Sequence, residues 1–149
     1  MKLLALNEPR VLRFVEDGIM PFGEGINDPQ ATTIGVEEDG DLVAGVIYHN
    51  YSGAYGTIEL SAYSTTRSWT DRSVVRFLFD YPFYQLGCRQ VLARHSEHNS
   101  RARRIWNALG GIEVRLPKMR SDTEDEIVAI LTKQAWETSR IKGAANGQK

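Results

Sequence analysis

Three stretches of this 149-residue chain carry side chains whose types and spacing could do chemistry. In Thr57 to Tyr63, alternation puts Ile58, Leu60 and Ala62 on one face of a strand and Thr57, Glu59, Ser61 and Tyr63 on the other. That second face is polar enough to line a site. Glu59 there can act as a general base, or it can pair with a neighbouring Arg or Lys as any half-exposed strand carboxylate does. His49, one strand earlier, titrates near neutral pH, although a lone strand histidine commonly only packs. The second stretch is Arg67 to Ser73. Ser68-Trp69-Thr70-Asp71 has the capping-box form with Asp in place of Glu, ahead of Val74, Val75, Phe77, Leu78 and Tyr81 at helical spacing. A helix N-terminus flanked by Arg67 and Arg72 can hold a pyrophosphate through its N–H groups and dipole; the same residues also suit an ordinary capped helix with two solvated arginines. In the third stretch Asn99 is an N-cap, Ala102, Ile105, Trp106 and Leu109 share one helical face, and Gly110 suits the left-handed C-terminal position.

Other reactive side chains read as structural. Cys88, the single cysteine, has no adjacent group to lower its pKa and is expected to be a buried thiol. His95, Glu97 and His98 lack the spacing of a zinc site and are expected in a surface loop, so no metal is assigned. Arg89, Arg94, Arg101, Arg103, Arg104, Arg115, Lys118 and Arg120 gather positive charge in one third of the chain, where a basic face could meet phosphate.

Positioning these groups requires the following elements. The spacing predicts a helix over Glu8 to Asp17, with Pro9 in its first turn and Gly18 as its stop, and a loop from Ile19 to Thr32. Strands Thr33 to Glu37 and Leu42 to Tyr51 turn at Asp39-Gly40, and Gly53 to Gly56 leads into strand Thr57 to Tyr63. A long helix begins near residue 69, loosens at Pro82 and ends at Gly87. Strand Arg89 to Ser96, the Asn99 helix and strands Ile112 to Met119 and Ile127 to Trp136 complete the order, with Pro117 marking an edge or interrupted strand. The implied architecture is α/β (α+β): a mixed, mostly antiparallel sheet of about six strands with helices on its faces. One domain over 1–142 and a disordered tail over 143–149 are expected.

Composition narrows the function classes. With 42% hydrophobic residues and a formal charge of −1, the chain can bury an ordinary core and exerts no global pull on nucleic acid or anionic membrane. One cysteine excludes an intrachain disulfide framework and points to the cytoplasm. The start Met-Lys-Leu-Leu-Ala-Leu-Asn-Glu-Pro is too short an apolar run for a signal peptide, and no segment approaches the ~20 apolar residues of a membrane span.

The order of elements, with Asn99, Ala102, Leu109 and Gly110 placed after a buried strand, resembles the GNAT (Gcn5-related N-acetyltransferase) superfamily over about residues 1 to 138. Trp69-Thr70, Phe79-Asp-Tyr-Pro-Phe83 and Leu86-Gly87-Cys88-Arg89 look most like phage and bacterial ribosomal-protein-type N-acetyltransferases. The resemblance implies direct acetyl transfer from acetyl-CoA, without a metal, to an amine acceptor: a small molecule, a peptide N-terminus or a nucleobase. Pantetheine would lie between strands Ile58 to Tyr63 and Arg89 to Ser96, near Ala62 and Tyr63. Arg67, Ser68, Trp69, Thr70, Asp71, Arg72, Asn99 and Arg103 are the other expected coenzyme contacts. Glu59 would be the base and His49 the second candidate. Departures are informative. Thr70 and Arg72 stand at the usual glycine positions of the pyrophosphate turn, Gly111 stands where Phe is usual, and Trp106 stands where relatives carry an acidic Tyr. An indole cannot supply a proton at neutral pH, so Tyr63, Tyr84 and Ser100 become the candidate acids, unless thiolate departure needs none. The resemblance also admits a DNA-adenine-modifying enzyme, with Tyr51, Tyr55, Tyr63 and Trp69 around a flipped base, or a non-catalytic binding protein. A homodimer through late strands is expected.

Overall fold

Asp39 and Gly40 both take positive φ, 54° and 90°, and so form the tight turn that their sequence demands between two antiparallel strands. The computed structural model describes residues 2–19, 26–66 and 71–139. In order these form β1 (Lys2–Leu6), α1 (Pro9–Ile19), β2 (Thr32–Glu38), β3 (Asp41–Ser52), β4 (Thr57–Ser64), α2 (Arg72–Asp80), a π turn (Tyr81–Gln85), β5 (Gln90–Ser96), α3 (Ser100–Ala108), β6 (Ile112–Ser121), β7 (Glu124–Thr132) and α4 (Lys133–Glu137). Seven strands make one sheet in the order β1-β2-β3-β4-β5-β7-β6, antiparallel throughout except between β4 and β5.

The mixed sheet and its helices match the expected class, with one strand more than the sequence indicated. The addition is β1, whose Lys-Leu-Leu-Ala-Leu run has no polar alternation to mark it; only its register against β2, Ala5 opposite Gly35, makes it a strand. Its edge position leaves Leu3 and Leu6 more than half exposed. Two apolar layers flank the sheet. α1 covers one face through Val11 and Val15 against Ala5 and Ile47, while α2, α3 and α4 bury Val74, Leu78, Phe79, Trp106 and Trp136 against the other. Gly35 and Gly45 face each other across β2 and β3, and a Cβ on either would come within 2.7 Å of Val11 or Val15. Their lack of side chains is what lets α1 lie this close.

Several boundaries differ from expectation for local reasons. Gly18 lies inside α1 without the positive φ of a helix stop, and its missing Cβ leaves the space that the Tyr63 ring occupies. α2 starts at Arg72, not near residue 69: the cap is Asp71, whose carboxylate accepts from Val74 N–H at 3.0 Å. Pro82 loosens the helix into the π turn, where Leu86 N–H reaches Tyr81 O at 3.0 Å and Cys88 N–H reaches Pro82 O at 2.9 Å. The last strand stops at Thr132, not Trp136, since the Thr132 hydroxyl caps α4 by accepting from Ala135 N–H. β6 is an edge strand interrupted at Pro117, as its sequence requires. The tail 143–149 lies outside the described residues.

Candidate active site

β4 and β5 run together for only three pairs, Thr57 with Gln90, Ile58 with Val91 and Glu59 with Leu92, and then part. On their outer sides both stay paired, β4 with β3 as far as Ser64 and β5 with β7 as far as Ser96. In an antiparallel pair alternate residues direct N–H and C=O toward the partner strand, so the others on Leu60–Ser64 point into the gap. Such groups need an acceptor and a donor from outside the sheet, and an extended amide-bearing chain supplies both.

Glu59 stands at the apex of this gap. Its side chain is 14% exposed; it accepts from Asn50 Nδ2 at 3.0 Å, lies 3.6 Å from Arg94 Nε and 4.0 Å from His49 Nε2. The β3 register shifts just past His49, and Asn50 takes φ 54°, which turns its amide toward Glu59 while Asp28 holds its backbone N–H. His49 lies directly opposite Glu59 on the α1 side of the sheet, 5% exposed, with Nε2 2.9 Å from Ser61 Oγ. Burial lowers the imidazole's pKa against the opposing pull of Glu59 and Asp28, so at neutral pH it is uncharged. Arg94 crosses the gap from β5 and also holds Glu126 at 2.9 Å, with Arg120 on that carboxylate's other oxygen at 3.4 Å. The paired-carboxylate reading and the base reading of Glu59 therefore describe the same residue.

The other expected contacts divide between the gap and elsewhere. Ala62 is exposed on the parted segment of β4, and Tyr63 beside it packs its ring on Gly18 and Phe14 (centroids 5.5 Å). Asp71 and Arg72 head α2; Ser73 Oγ donates to Asp71 at 2.8 Å, and the Arg72 side chain is exposed. Arg67, Ser68, Trp69 and Thr70 lie outside the described residues. Asn99 caps α3 by accepting from Ala102 N–H at 3.1 Å, at the end of the β5 arm. Ser100 follows it, exposed.

Arg103 is committed elsewhere: it grips Glu113 through two bonds of 2.9 Å and donates to Glu97 O at 2.8 Å, tying α3 to β6. Tyr84 sits at the opposite end of β5, where β4 and β5 are joined, donating to Glu137 at 2.9 Å, with Lys133 over its ring. Burial and that carboxylate push its pKa up to about 12, far from what a proton donor at neutral pH needs. Trp106 packs in the core, edge-on to Phe79 at 5.5 Å. Gly111 belongs to the same packing: a Cβ there would stand 2.9 Å from Trp106 O. Cys88 is fully buried, with its pKa raised by burial.

Among the described residues, the tyrosines grouped in the sequence reading do not converge, and the arginines are mostly paired. Tyr55 and Tyr51 lie by the joined end, linked to Arg89 and Leu86 O, while Tyr63 packs on α1. Arg94, Arg103, Arg115 and Arg120 are all paired with carboxylates. His95 is buried, whereas His98 is exposed beside Glu97 at 3.8 Å; among the described residues no three His, Cys, Asp or Glu side chains form a metal cluster. Sequence reading places Ser61 on the polar face of β4 but gives it no role, and it misses the mouth of the gap, where Arg101 Nη2 donates to Thr66 O at 3.1 Å and links the two parted arms. Only Arg101's place in a basic run hinted at it.

No protein-family model matches the chain, and no curated protein sequence does. Solved structures do share its shape. Spermidine N-acetyltransferase SpeG from Vibrio cholerae, in mutant forms, superposes with a TM-score of 0.72 at 15% identity, covering 91% of this chain and 97% of that one. This chain has the GNAT fold. A dodecameric structure of the same Vibrio cholerae enzyme gives 0.72 at 15% identity, with 92% and 96% covered. A probable acetyltransferase gives 0.61 at 18% identity, and the chain spans 63% of its length while 71% of this chain is covered. In the GNAT fold of this chain the parted strands sit at the middle of the sheet, and among the described residues no helix is long and apolar enough to cross a membrane.

Proposed function

We propose that the protein is an N-acetyltransferase that moves the acetyl group of acetyl-CoA directly to an amine. The observation that carries this reading is the parting of β4 and β5 after Glu59 and Leu92, which leaves backbone donors and acceptors for a pantetheine chain to pair with. Ala62 and Tyr63 would line the thioester end, and Asn99 the opposite arm. The N-terminus of α2, with Arg72 and the residues Arg67 to Thr70 ahead of it in the chain, would meet the pyrophosphate. Arg101, at the mouth, adds a second guanidinium near that end. The coenzyme supplies an activated acetyl group. Glu59 supplies the negative charge for base catalysis, directly or through an intervening group, and the thiolate departs without a strong acid, since Tyr84 is remote and Trp106 is packed.

The acceptor enters from the α1 side, where the carboxylates of Glu59, Asp28 and Glu126 outnumber the guanidiniums of Arg94 and Arg120 and so favour a cationic amine over an anion. That the similar Vibrio cholerae enzyme is named for spermidine makes polyamines the first acceptors to try. Self-association belongs to the same reading: β6 is an open edge exposing Ile112, Val114 and Met119, and the similar enzyme has a dodecameric structure. Calorimetry with acetyl-CoA, followed by thiol release with spermidine, putrescine, ethanolamine and a peptide with a free N-terminus, tests the assignment. Binding with turnover of one acceptor is expected; no binding would end the reading.

A further inference from the structure

Ser61 is two residues past the last β4–β5 pair, on the arm that borders the gap, and its side chain is on the same sheet face as Glu59. Its hydroxyl is 2.9 Å from His49 Nε2, and that same nitrogen is 4.0 Å from Glu59 Oε2. Both contacts fall on one ring nitrogen, so the imidazole edge meets the hydroxyl on the open segment of β4 and the carboxylate at the apex of the gap together. A nucleophile-like hydroxyl bonded to a buried imidazole, with a carboxylate beside it, is more than packing requires, because an apolar side chain at 49 would fill the same space without the desolvation cost.

From this arrangement we infer that Ser61 and His49 are the intervening groups through which the acceptor amine loses its proton, with Ser61 Oγ touching the amine. The inference rests on the acetyltransferase reading above. The ammonium form first gives one proton to solvent, and the lone pair of the neutral amine attacks the thioester carbonyl. As the C–N bond forms, a second N–H proton passes to Ser61 Oγ while the serine's own proton passes to His49 Nε2, and the C–S bond breaks with its electron pair leaving on the thiolate. The thiolate takes a proton from solvent, and the imidazolium gives one back. While charged, the imidazolium is paired with Glu59. The charged groups around His49 are Glu59 on β4, Asp28 on the loop before β2 and, one step further through Glu59, Arg94 on β5. On α1, which covers β3, the Glu16 carboxylate is turned instead to Ile26, whose N–H it accepts at 2.7 Å.

The test uses the full chain and the amine of the named panel that the wild type acetylates fastest. Ser61→Ala should lower kcat by about 10²-fold while the acetyl-CoA dissociation constant stays within about twofold, and Ser61→Thr should restore most of the rate. His49→Asn should abolish the acid limb of the kcat/KM pH profile. Glu59→Gln should move that limb to lower pH, because the carboxylate raises the imidazole's affinity for a proton. Wild-type kcat in Ser61→Ala, or an acid limb that persists in His49→Asn and disappears in Glu59→Gln, would overturn the relay while leaving the acetyltransferase intact. A wild type that consumes no acetyl-CoA with any amine of the panel would overturn both, and calorimetry on that same protein identifies the failure as one of the underlying reading.

Discussion

Glu59 already has an amide at 3.0 Å, a guanidinium at 3.6 Å and an imidazole at 4.0 Å, so its charge is well supported before any amine arrives. Replacing it by Gln keeps the shape and removes the charge that would offset a forming cation. Glu59→Gln should therefore cut kcat by about 10²-fold with little change in acetyl-CoA affinity; an unchanged rate in a thiol-release assay would remove Glu59 from the mechanism. Gly111 makes a separate prediction. Its missing Cβ would meet the Trp106 carbonyl at 2.9 Å, a backbone atom that cannot swing aside. Gly111→Ala should destabilise the fold by about 1–3 kcal/mol in urea unfolding, the usual cost of overpacking. Any side chain at 111 would meet the same carbonyl at the end of α3.

At the level of elements, the two arms of the gap differ in what they offer an anion. α3 is capped by the neutral Asn99, whereas α2 is capped by the carboxylate of Asp71, which takes Val74 N–H and the Ser73 hydroxyl. A phosphate approaching α2 meets favourable N–H groups and one unfavourable charge. Asp71→Asn keeps an equally good cap while removing that charge, so acetyl-CoA should bind about two- to fivefold more tightly by calorimetry, on a dipole-scale effect of about 0.3–1 kcal/mol. Weaker binding would show that the pyrophosphate lies elsewhere. On the acceptor side, α1 is held against β2, β3 and β4 through Gly35, Gly45 and the Tyr63–Gly18 contact, and that closeness sets how the polar face of β4 is covered.

Across the whole molecule, charge is spent mostly on internal pairs: Arg103 with Glu113, Arg115 with Glu97 and Asp125, and Arg94 and Arg120 with Glu126. His49 and His95 are the exceptions, each with its pKa lowered chiefly by burial. Because the unfolded chain binds protons at these imidazoles near pH 6.5 and the folded chain resists doing so, their contribution to stability is full above that pH and is lost as pH falls below it. Asp28, Glu97, Glu113 and Asp125 have lowered pKa values, so their contribution persists to below about pH 4.5. Urea midpoints should therefore drop between about pH 7.5 and 5.5, before the carboxylates titrate, and His95→Asn should flatten part of that slope; a level profile would mean that neither imidazole is held neutral.

Local signals make much of this legible in the amino-acid sequence. The Asp39-Gly40 turn, the Asn99 cap, the Pro117 edge and the two faces of Thr57–Tyr63 each depend on a few neighbouring residues, and each reads correctly. Glu59 is visible as a candidate on the same grounds. What only the tertiary structure decided involves residues far apart in the chain: that Lys2–Leu6 pairs as a strand, that Gly18 makes room for Tyr63, that Arg103 belongs to Glu113, that Tyr84 lies at the joined end and that Ser61 meets His49. The parting of β4 from β5 is the clearest case. Strand propensity is a property of each segment, but how far two strands stay paired depends on the elements packed around them, and no window of sequence contains both.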